Sequence, residues 1–356
     1  MSDIVIIGGG IAGVSAAARM SAQGKVTLLE AESVLAHHAS GRSAALYEPY
    51  YGPQTVVDLS LASGDFLRSQ PNVLSPRGMM ILARAGEAQA LAAEAAGFAL
   101  DLISVAEARA IVPVLNDSVA HAAMGSHAWD TDTDLLLQGF ARSAKANGAT
   151  IVTGARVSAI RRDAGQWHLT TPKGEFSAKI LVNAAGAWVD MVAQVAGVAP
   201  LGFTPFRRSM ARIPAPGGHD LTGWPQLFGL GETWYAKPDA GALIVSPAEE
   251  HPMQPHDAFA DDMVLAEGLA RYEAMVTEPV TRLLASWAGL RTFSPDRVPV
   301  IGRDPLVADF FWLAGQGGYG FQTCAAASQL AADLLAGQSP ALAAETVTAL
   351  SPARFR

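Results

Sequence analysis

Cysteine is almost missing from this chain of 356 residues: Cys324 is the only one. An internal disulfide is therefore excluded, and the fold does not rest on oxidation. Cys324 has no activating neighbour in the sequence and reads as a buried packing residue, not a nucleophile. Basic tracts are missing too, and 25 Lys and Arg against 33 Asp and Glu leave a net charge of −8. That excludes the electrostatic footprint of a nucleic-acid binder. A small anionic substrate stays open, because it needs only one or two local arginines. No run is apolar enough to span a membrane: the richest stretch, 180–203, carries Asn183, Asp190 and Gln194. The chain enters its first strand pattern by Asp3 with no leader signature, so a cytoplasmic location is expected. HxxxH and CxxC pairs are absent. The run Asp130–Asp134 opens like a calcium loop, but Leu135 and Ala141 stand where the loop needs glycine and glutamate. No metal is expected, and Asp132 or Thr133 reads as the cap of a helix over 135–146.

What is present is apolar bulk and glycine. Half the residues are hydrophobic, enough for a large core and, at this length, two domains. Three strand patterns run into small-residue turns: Ile4–Ile7 into Gly8–Gly13 (GGGIAG), Ile180–Asn183 into Ala184–Trp188 (AAGAW), and Phe310–Ala314 into Gly315–Thr323 (GQGGYGFQT). In the first, Gly8 makes the tight turn, Gly10 admits a pyrophosphate to the backbone, and Gly13 lets the next helix approach the strand. That helix points its N-terminal amides at the phosphates. The strand 25–29 ends at Glu30, at the spacing of a ribose-binding acid. The three junctions read as one dinucleotide site, and FAD is the expected occupant. Gly315-x-Gly317-x-x-Gly320 comes too late to found a second nucleotide domain. Its helix is expected to aim its N-terminus at the cofactor ring, where the dipole favours negative charge. The stretch 152–157 lacks the fingerprint as well, so no separate nicotinamide domain is expected, and electrons enter the flavin from a small substrate.

The expected fold is α/β with two discontinuous domains. Residues 1–45, 127–200 and 298–356 form a Rossmann-type FAD-binding domain. Residues 46–126 and 201–297 form a substrate domain built on an antiparallel sheet, with short alternating runs at 233–236 and 242–245 and an alanine-rich helical run at 83–96. The site lies between the two.

The GGGIAG start, Glu30, His38–Ala45, LVNAAGAW, Trp287–Arg291 and GQGGYGFQT together resemble the FAD-dependent D-amino acid oxidase superfamily, and within it the D-arginine dehydrogenases. The likeness runs from residue 3 to the Ser-Pro-Ala-Arg tail at 351–354. It implies hydride transfer from an amino acid Cα to FAD, then hydrolysis of the imino acid to a 2-keto acid and ammonia. It implies a substrate carboxylate held by Arg291 and by one of Arg207 and Arg208, with Arg208 favoured, and by the Tyr235 hydroxyl. Tyr51 falls beside the substrate and the Gly318 backbone near its amine. The implied cofactor contacts are Gly8, Gly10, Ile11, Ala12, Gly13, Glu30, Ala31, His38, Arg42, Ser43, Ala44, Ala45, Val157, Ala185, Gly186, Trp188, Gly289, Gly315, Gly317, Gly318, Tyr319, Gly320, Phe321 and Gln322. Where some relatives attach flavin through histidine, the aligned residue lies nearer Arg42 than His38, so FAD is expected to be non-covalent.

Two departures bear on the substrate. Met79 stands where the cation-selective relatives carry a glutamate, and Leu46 and Glu48 replace a histidine and a threonine. A D-amino acid with a neutral, apolar side chain is therefore the expected substrate. A D-arginine or D-lysine preference supported by Glu48 is the alternative. The run 241–245 lacks the oxygen-activating lysine of sarcosine oxidases, which favours a dehydrogenase with a quinone or other electron carrier as acceptor over an oxidase. A non-enzymatic flavin-binding protein is the remaining reading.

Overall fold

The computed structural model describes residues 2–356. The first strand, Ser2–Ile7, lies between Gly174–Asn183 and Val26–Leu29 in a parallel array. Thr150–Val152 and Phe310–Ala314 extend that array on its two sides. Register pairs Ile7 with Asn183 and Asn183 with Trp312. The three glycine junctions, far apart in the sequence, thus leave one sheet edge side by side.

Ser2–Ile7, Val26–Leu29 and Phe310–Ala314 are buried on both faces, as near-continuous apolar runs require of a parallel sheet. Ile4 and Ile6 face the helices Ile11–Met20, Thr133–Ala146 and Gly320–Ala336, while Val5 and Ile7 face Val189, Phe310 and Trp312. Each fully buried aliphatic side chain contributes about 1.5–3 kcal/mol. Asp132 caps the helix Thr133–Ala146, its carboxylate accepting from the Leu135 amide at 2.8 Å, as expected. Three further strands, Ala159–Asp163, Gln166–Thr171 and Val300–Arg303, complete eight.

A second sheet has nine strands. Thr204–Pro214 pairs antiparallel with both Ala285–Phe293 and Ala242–Ser246, and Tyr235–Asp239 follows. The expectation of a wholly antiparallel sheet needs correction at one place. Gln226–Gly229 pairs parallel with Met79–Ala83, a strand buried at every residue. The two come from distant parts of the chain, so no hairpin dictates their direction. The alanine-rich run also divides: Ala83 closes that strand, and the helix is Ala88–Gly97. A small sheet of Leu46–Tyr47, Trp129–Thr131 and Leu74–Pro76 sits beside these.

Candidate active site

Where the three junctions meet, two cavities of about 200 and 270 Å³ run together, sharing Gly10, Ser40, Arg42, Ala184, Gly186 and Gly289 in their walls. The turn at their junction is closed tightly. Gly8 has φ +113°, and a Cβ there would lie 2.3 Å from the Ala184 carbonyl oxygen. A Cβ on Gly13 would lie 1.9 Å from the Gly8 carbonyl. Glu30 accepts from the Gly9 amide at 2.5 Å and the Glu32 amide at 2.7 Å, which anchors the acid at the turn. At the helix start, the Ile11 amide donates to Ser40 Oγ at 3.0 Å. The helix has no acid in its first turn, which keeps its N-terminal field available to an anion.

The larger cavity is walled by Gly8, Glu30, Ala31, His38, Val157, Ala185 and Trp188; Ile11, Ala12, Ser43, Ala44, Ala45, Gly317, Gly318, Gly320, Phe321 and Gln322 line the other. Three of the expected cofactor residues lie off both walls. Gly13 serves helix packing. Gly315, at φ +76°, is backed by Phe203 and Ser294. Tyr319 puts its ring against Tyr51 and Phe293. Gln322 lines the wall and also braces it, donating to Tyr51 O at 3.2 Å and Ser60 Oγ at 2.9 Å. His38 contacts Glu32 at 3.3 Å and packs its ring 4.5 Å from Trp188. Glu32, His37 and His38 bring one ligand atom each within 4.8 Å, a cluster that no sequence spacing advertised. Arg156 and Asp257 already engage it.

The smaller cavity ends at a cationic wall. Strand pairing sets Arg208 opposite Gly289 and Phe206 opposite Arg291, so both arginines share one face. Arg207, one residue along, turns to the other face and meets Asp261 at 3.4 Å and Glu249 at 3.7 Å. Of the adjacent pair, Arg208 is the one in the cavity wall. A Cβ on Gly289 would meet Arg42 Cβ at 3.6 Å, and the Arg291 guanidinium lies where a Gly318 Cβ would be 3.1 Å away.

Sequence reasoning missed Glu232. Its carboxylate accepts from Arg208 at 2.7 Å and from the Tyr51 hydroxyl at 2.9 Å, and lies 3.9 Å from Arg291. Glu232 sits in a tight turn at φ +52°, which no local pattern announces for glutamate. Burial works against its charge, yet Arg208 and Arg291 outweigh burial and hold the carboxyl below its usual range. Burial above all pushes the Tyr51 phenol upwards. Burial lowers the Arg291 guanidinium, but Tyr51, Tyr235 and Glu232 more than reverse it. Tyr235 lines the same wall. Thr292 Oγ1 and Gln316 Nε2 are buried beside Gly317 with no hydrogen-bond partner, ready for a polar cofactor edge.

A hydrophobic cluster supplies the apolar part of the lining: Leu46, Met79, Ile81, Phe98 and Phe228, with Phe98 stacked on Tyr51 and Phe228 against Tyr235. Glu48 interrupts it. Its carboxylate is buried, 3.1 Å from His127 Nε2, and burial pushes its pKa up to about 7. Lys237 lies outside both cavities. It donates to the Ala45 carbonyl at 2.7 Å and pairs with Asp130 at 3.1 Å, holding the cavity-lining segment Ser43–Leu46 from behind. Cys324 is buried, its thiol pushed up to about 12 by burial, consistent with packing.

The sequence profile of the FAD dependent oxidoreductase family (DAO) matches residues 3–334. The chain belongs to that family. FAD is its cofactor, and the glycine turn, the Glu30 anchor and the unpaired Thr292 and Gln316 donors fit that molecule. The bifunctional tRNA 5-methylaminomethyl-2-thiouridine biosynthesis protein MnmC of Burkholderia ambifaria is 26% identical, covering 99% of this chain and 59% of its own length. This DAO-family chain thus spans under two thirds of that relative. Glycine oxidase from Geobacillus kaustophilus superposes with a TM-score of 0.85 at 22% identity, covering 100% and 99% of the two chains. FAD-bound L-alpha-glycerophosphate oxidase from Mycoplasma pneumoniae gives 0.82 at 21% identity, covering 94% of each. These likenesses fix the two-domain flavoenzyme fold. No helix among the described residues is long and apolar enough to cross a membrane.

Proposed function

We propose that this chain oxidises the Cα–N bond of D-amino acids with neutral, apolar side chains, on FAD held without a covalent link. The observation that carries the reading is the convergence of Arg208, Arg291 and Tyr51 on one carboxylate, that of Glu232. Three groups already arranged for a carboxylate supply what an amino acid needs at one end. On substrate entry its carboxylate takes over Glu232's partners. The Gly318 backbone, exposed beside Arg291, receives the amine. Bound FAD supplies the hydride acceptor; the protein's part is to fix the Cα–H towards it and to exclude water. The amine must be neutral, because only a free lone pair can form the iminium as hydride leaves.

The apolar wall of Met79, Leu46, Ile81 and Phe228 supports a hydrophobic side chain, each buried methylene contributing about 0.8 kcal/mol. The D configuration rests on the likeness to D-arginine dehydrogenases. Lys237, the lysine nearest Tyr235 in sequence, is tied to Asp130 and Ala45, which supports an acceptor other than oxygen. The domain division at residues 45, 126, 200 and 297 belongs to the same reading, with substrate carried between the two sheets.

Anaerobic flavin bleaching across D- and L-amino acids, glycine and N-methyl amino acids tests this. At about pH 6.5, D-leucine, D-methionine and D-phenylalanine are expected to exceed D-arginine and D-lysine in kcat/KM by about tenfold or more, two or so methylenes' worth of burial. The reverse order would defeat the side-chain assignment, and oxygen uptake with the best substrate would defeat the dehydrogenase one. Acid or heat denaturation is expected to release all the FAD, because His38 is engaged by Glu32 and Trp188. Flavin retained on the unfolded polypeptide would show a covalent link.

A further inference from the structure

Two buried side-chain oxygens in the lining of the substrate cavity make no hydrogen bond. Gln226 and Glu48 are each 4% exposed and both line the cavity. Neither Gln226 Oε1 nor Glu48 Oε2 has a hydrogen-bond partner. Strand register puts them around one residue. Gln226 pairs with Met79, and Met79 pairs with Gly125. Gly125 has room for the His127 ring, since a Cβ there would be 2.7 Å from His127 Cε1. His127 in turn meets Glu48, with no hydrogen bond between them. Gln226, Met79 and Glu48 therefore share the cavity lining, with His127 behind Glu48, and the two buried acceptors there make no hydrogen bond. A buried acceptor left without a hydrogen bond is destabilising, and a ligand that brings a donor relieves it.

Building on the amino-acid reading above, we propose that Glu48, with His127 and Gln226 beside it, is the specificity-determining group for the tip of the substrate side chain. Protonated, it leaves a lining that accepts an apolar tip. Ionised, it receives an ammonium, guanidinium or other N–H-bearing tip, with Gln226 Oε1 as a second acceptor. The groups around Glu48 permit both states. Its Oε1 accepts from the Tyr50 amide at 3.1 Å, which steadies the anion. His127 is the titratable side chain in contact, and burial lowers its pKa, so it does not supply a permanent counter-charge. The Tyr50 ring packs on His127, and the Tyr47 phenol, pushed up by burial, stays neutral. On the neighbouring strands Arg77 and Lys237 are both committed to Asp130. Among the described residues no fixed cation neutralises Glu48, and its burial-raised pKa of about 7 sets the changeover. The same cavity would prefer apolar side chains in mild acid and admit cationic ones as pH rises.

The test needs no turnover. Hexanoate and 6-aminohexanoate are the carboxylate skeletons of norleucine and lysine without the α-amine, and both dock through the carboxylate. Their dissociation constants are read from the flavin absorbance of the holoenzyme between about pH 5.5 and pH 9. The ratio of the hexanoate to the 6-aminohexanoate constant is expected to rise about tenfold or more across that range. In Glu48→Gln it is expected to stay within about twofold, in favour of hexanoate throughout. Gln226→Leu is expected to lower 6-aminohexanoate affinity about threefold or more and to leave hexanoate unchanged. A flat ratio in the wild type, an equal rise in Glu48→Gln, or the failure of both probes to perturb the flavin overturns the proposal. If the ratio behaves as expected while no D-amino acid bleaches the flavin, the reaction assignment fails and the tip-recognition assignment stands. If D-amino acids bleach the flavin while the ratio stays flat, the reaction assignment stands and the tip-recognition assignment fails.

Discussion

Arg291→Ala is expected to lower kcat/KM by about 30-fold to several thousand-fold, the largest kinetic loss at any single side chain in the cavity. Removing one partner of a desolvated, hydrogen-bonded charge pair costs about 2–5 kcal/mol, and each 1.4 kcal/mol is about a tenfold change. Arg291 is placed for that cost. It shares a sheet face with Arg208, lies against the Gly318 backbone, and is not consumed by a short protein ion pair, Glu232 being 3.9 Å away. Arg208 is bound to Glu232 at 2.7 Å and to the Glu249 carbonyl at 3.0 Å. A substrate carboxylate therefore finds in Arg291 the cation with most unspent hydrogen-bonding capacity. Arg291→Lys is expected to recover only part of the loss, since an ammonium keeps the charge but not the planar fork. Stopped-flow flavin reduction over a range of substrate concentrations measures both. A near-wild-type kcat/KM for Arg291→Ala would remove the carboxylate assignment, and full recovery in Arg291→Lys would remove the bidentate one.

The two arginines also mark how far the sequence could be read. Resemblance indicated Arg291 and the pair at 207 and 208. Choosing within the pair depends on which face of a strand each side chain takes, and that follows from a cross-strand register, Arg208 to Gly289, between residues 81 positions apart. The three glycine junctions were legible for a different reason: a buried strand ending at a glycine turn is a local pattern. Their adjacency is not local, and depends on Asn183 pairing with both Ile7 and Trp312. Glu232 was invisible because its role comes from a strained turn that brings a single carboxylate to partners on three separate segments. The alanine-rich stretch misled in part, since alanine serves equally in a buried strand such as Met79–Ala83 and in a helix such as Ala88–Gly97. The parallel pairing of Gln226–Gly229 had no signal at all, because two short buried runs do not state their mutual direction.

Gly13→Ala is expected to weaken FAD binding and lower the flavin content of the purified protein. The added methyl would be placed 1.9 Å from the Gly8 carbonyl oxygen, a distance no side-chain rearrangement relieves, because the methyl is fixed to the helix backbone and its partner is a backbone carbonyl. The helix Ile11–Met20 must then move off the first strand. Gly8 cannot yield, since its own φ of +113° and the Ala184 carbonyl beneath it confine the turn. Overpacking at a closed contact costs about 1–3 kcal/mol, here falling directly on the turn that would cradle the pyrophosphate. FAD affinity is therefore expected to fall by about 5- to 150-fold at 1.4 kcal/mol per decade. The measurement is the ratio of flavin to protein after gel filtration, with the far-ultraviolet circular dichroism of the apoprotein as a check on folding. Gly97→Ala is the control: it adds the same methyl at an exposed helical position with nothing within 4 Å, and should keep its full complement of flavin. If Gly13→Ala retains stoichiometric FAD, the close helix-to-strand approach is not what builds the cofactor turn. If it loses flavin while its dichroism matches the control, the loss belongs to the turn and not to the fold.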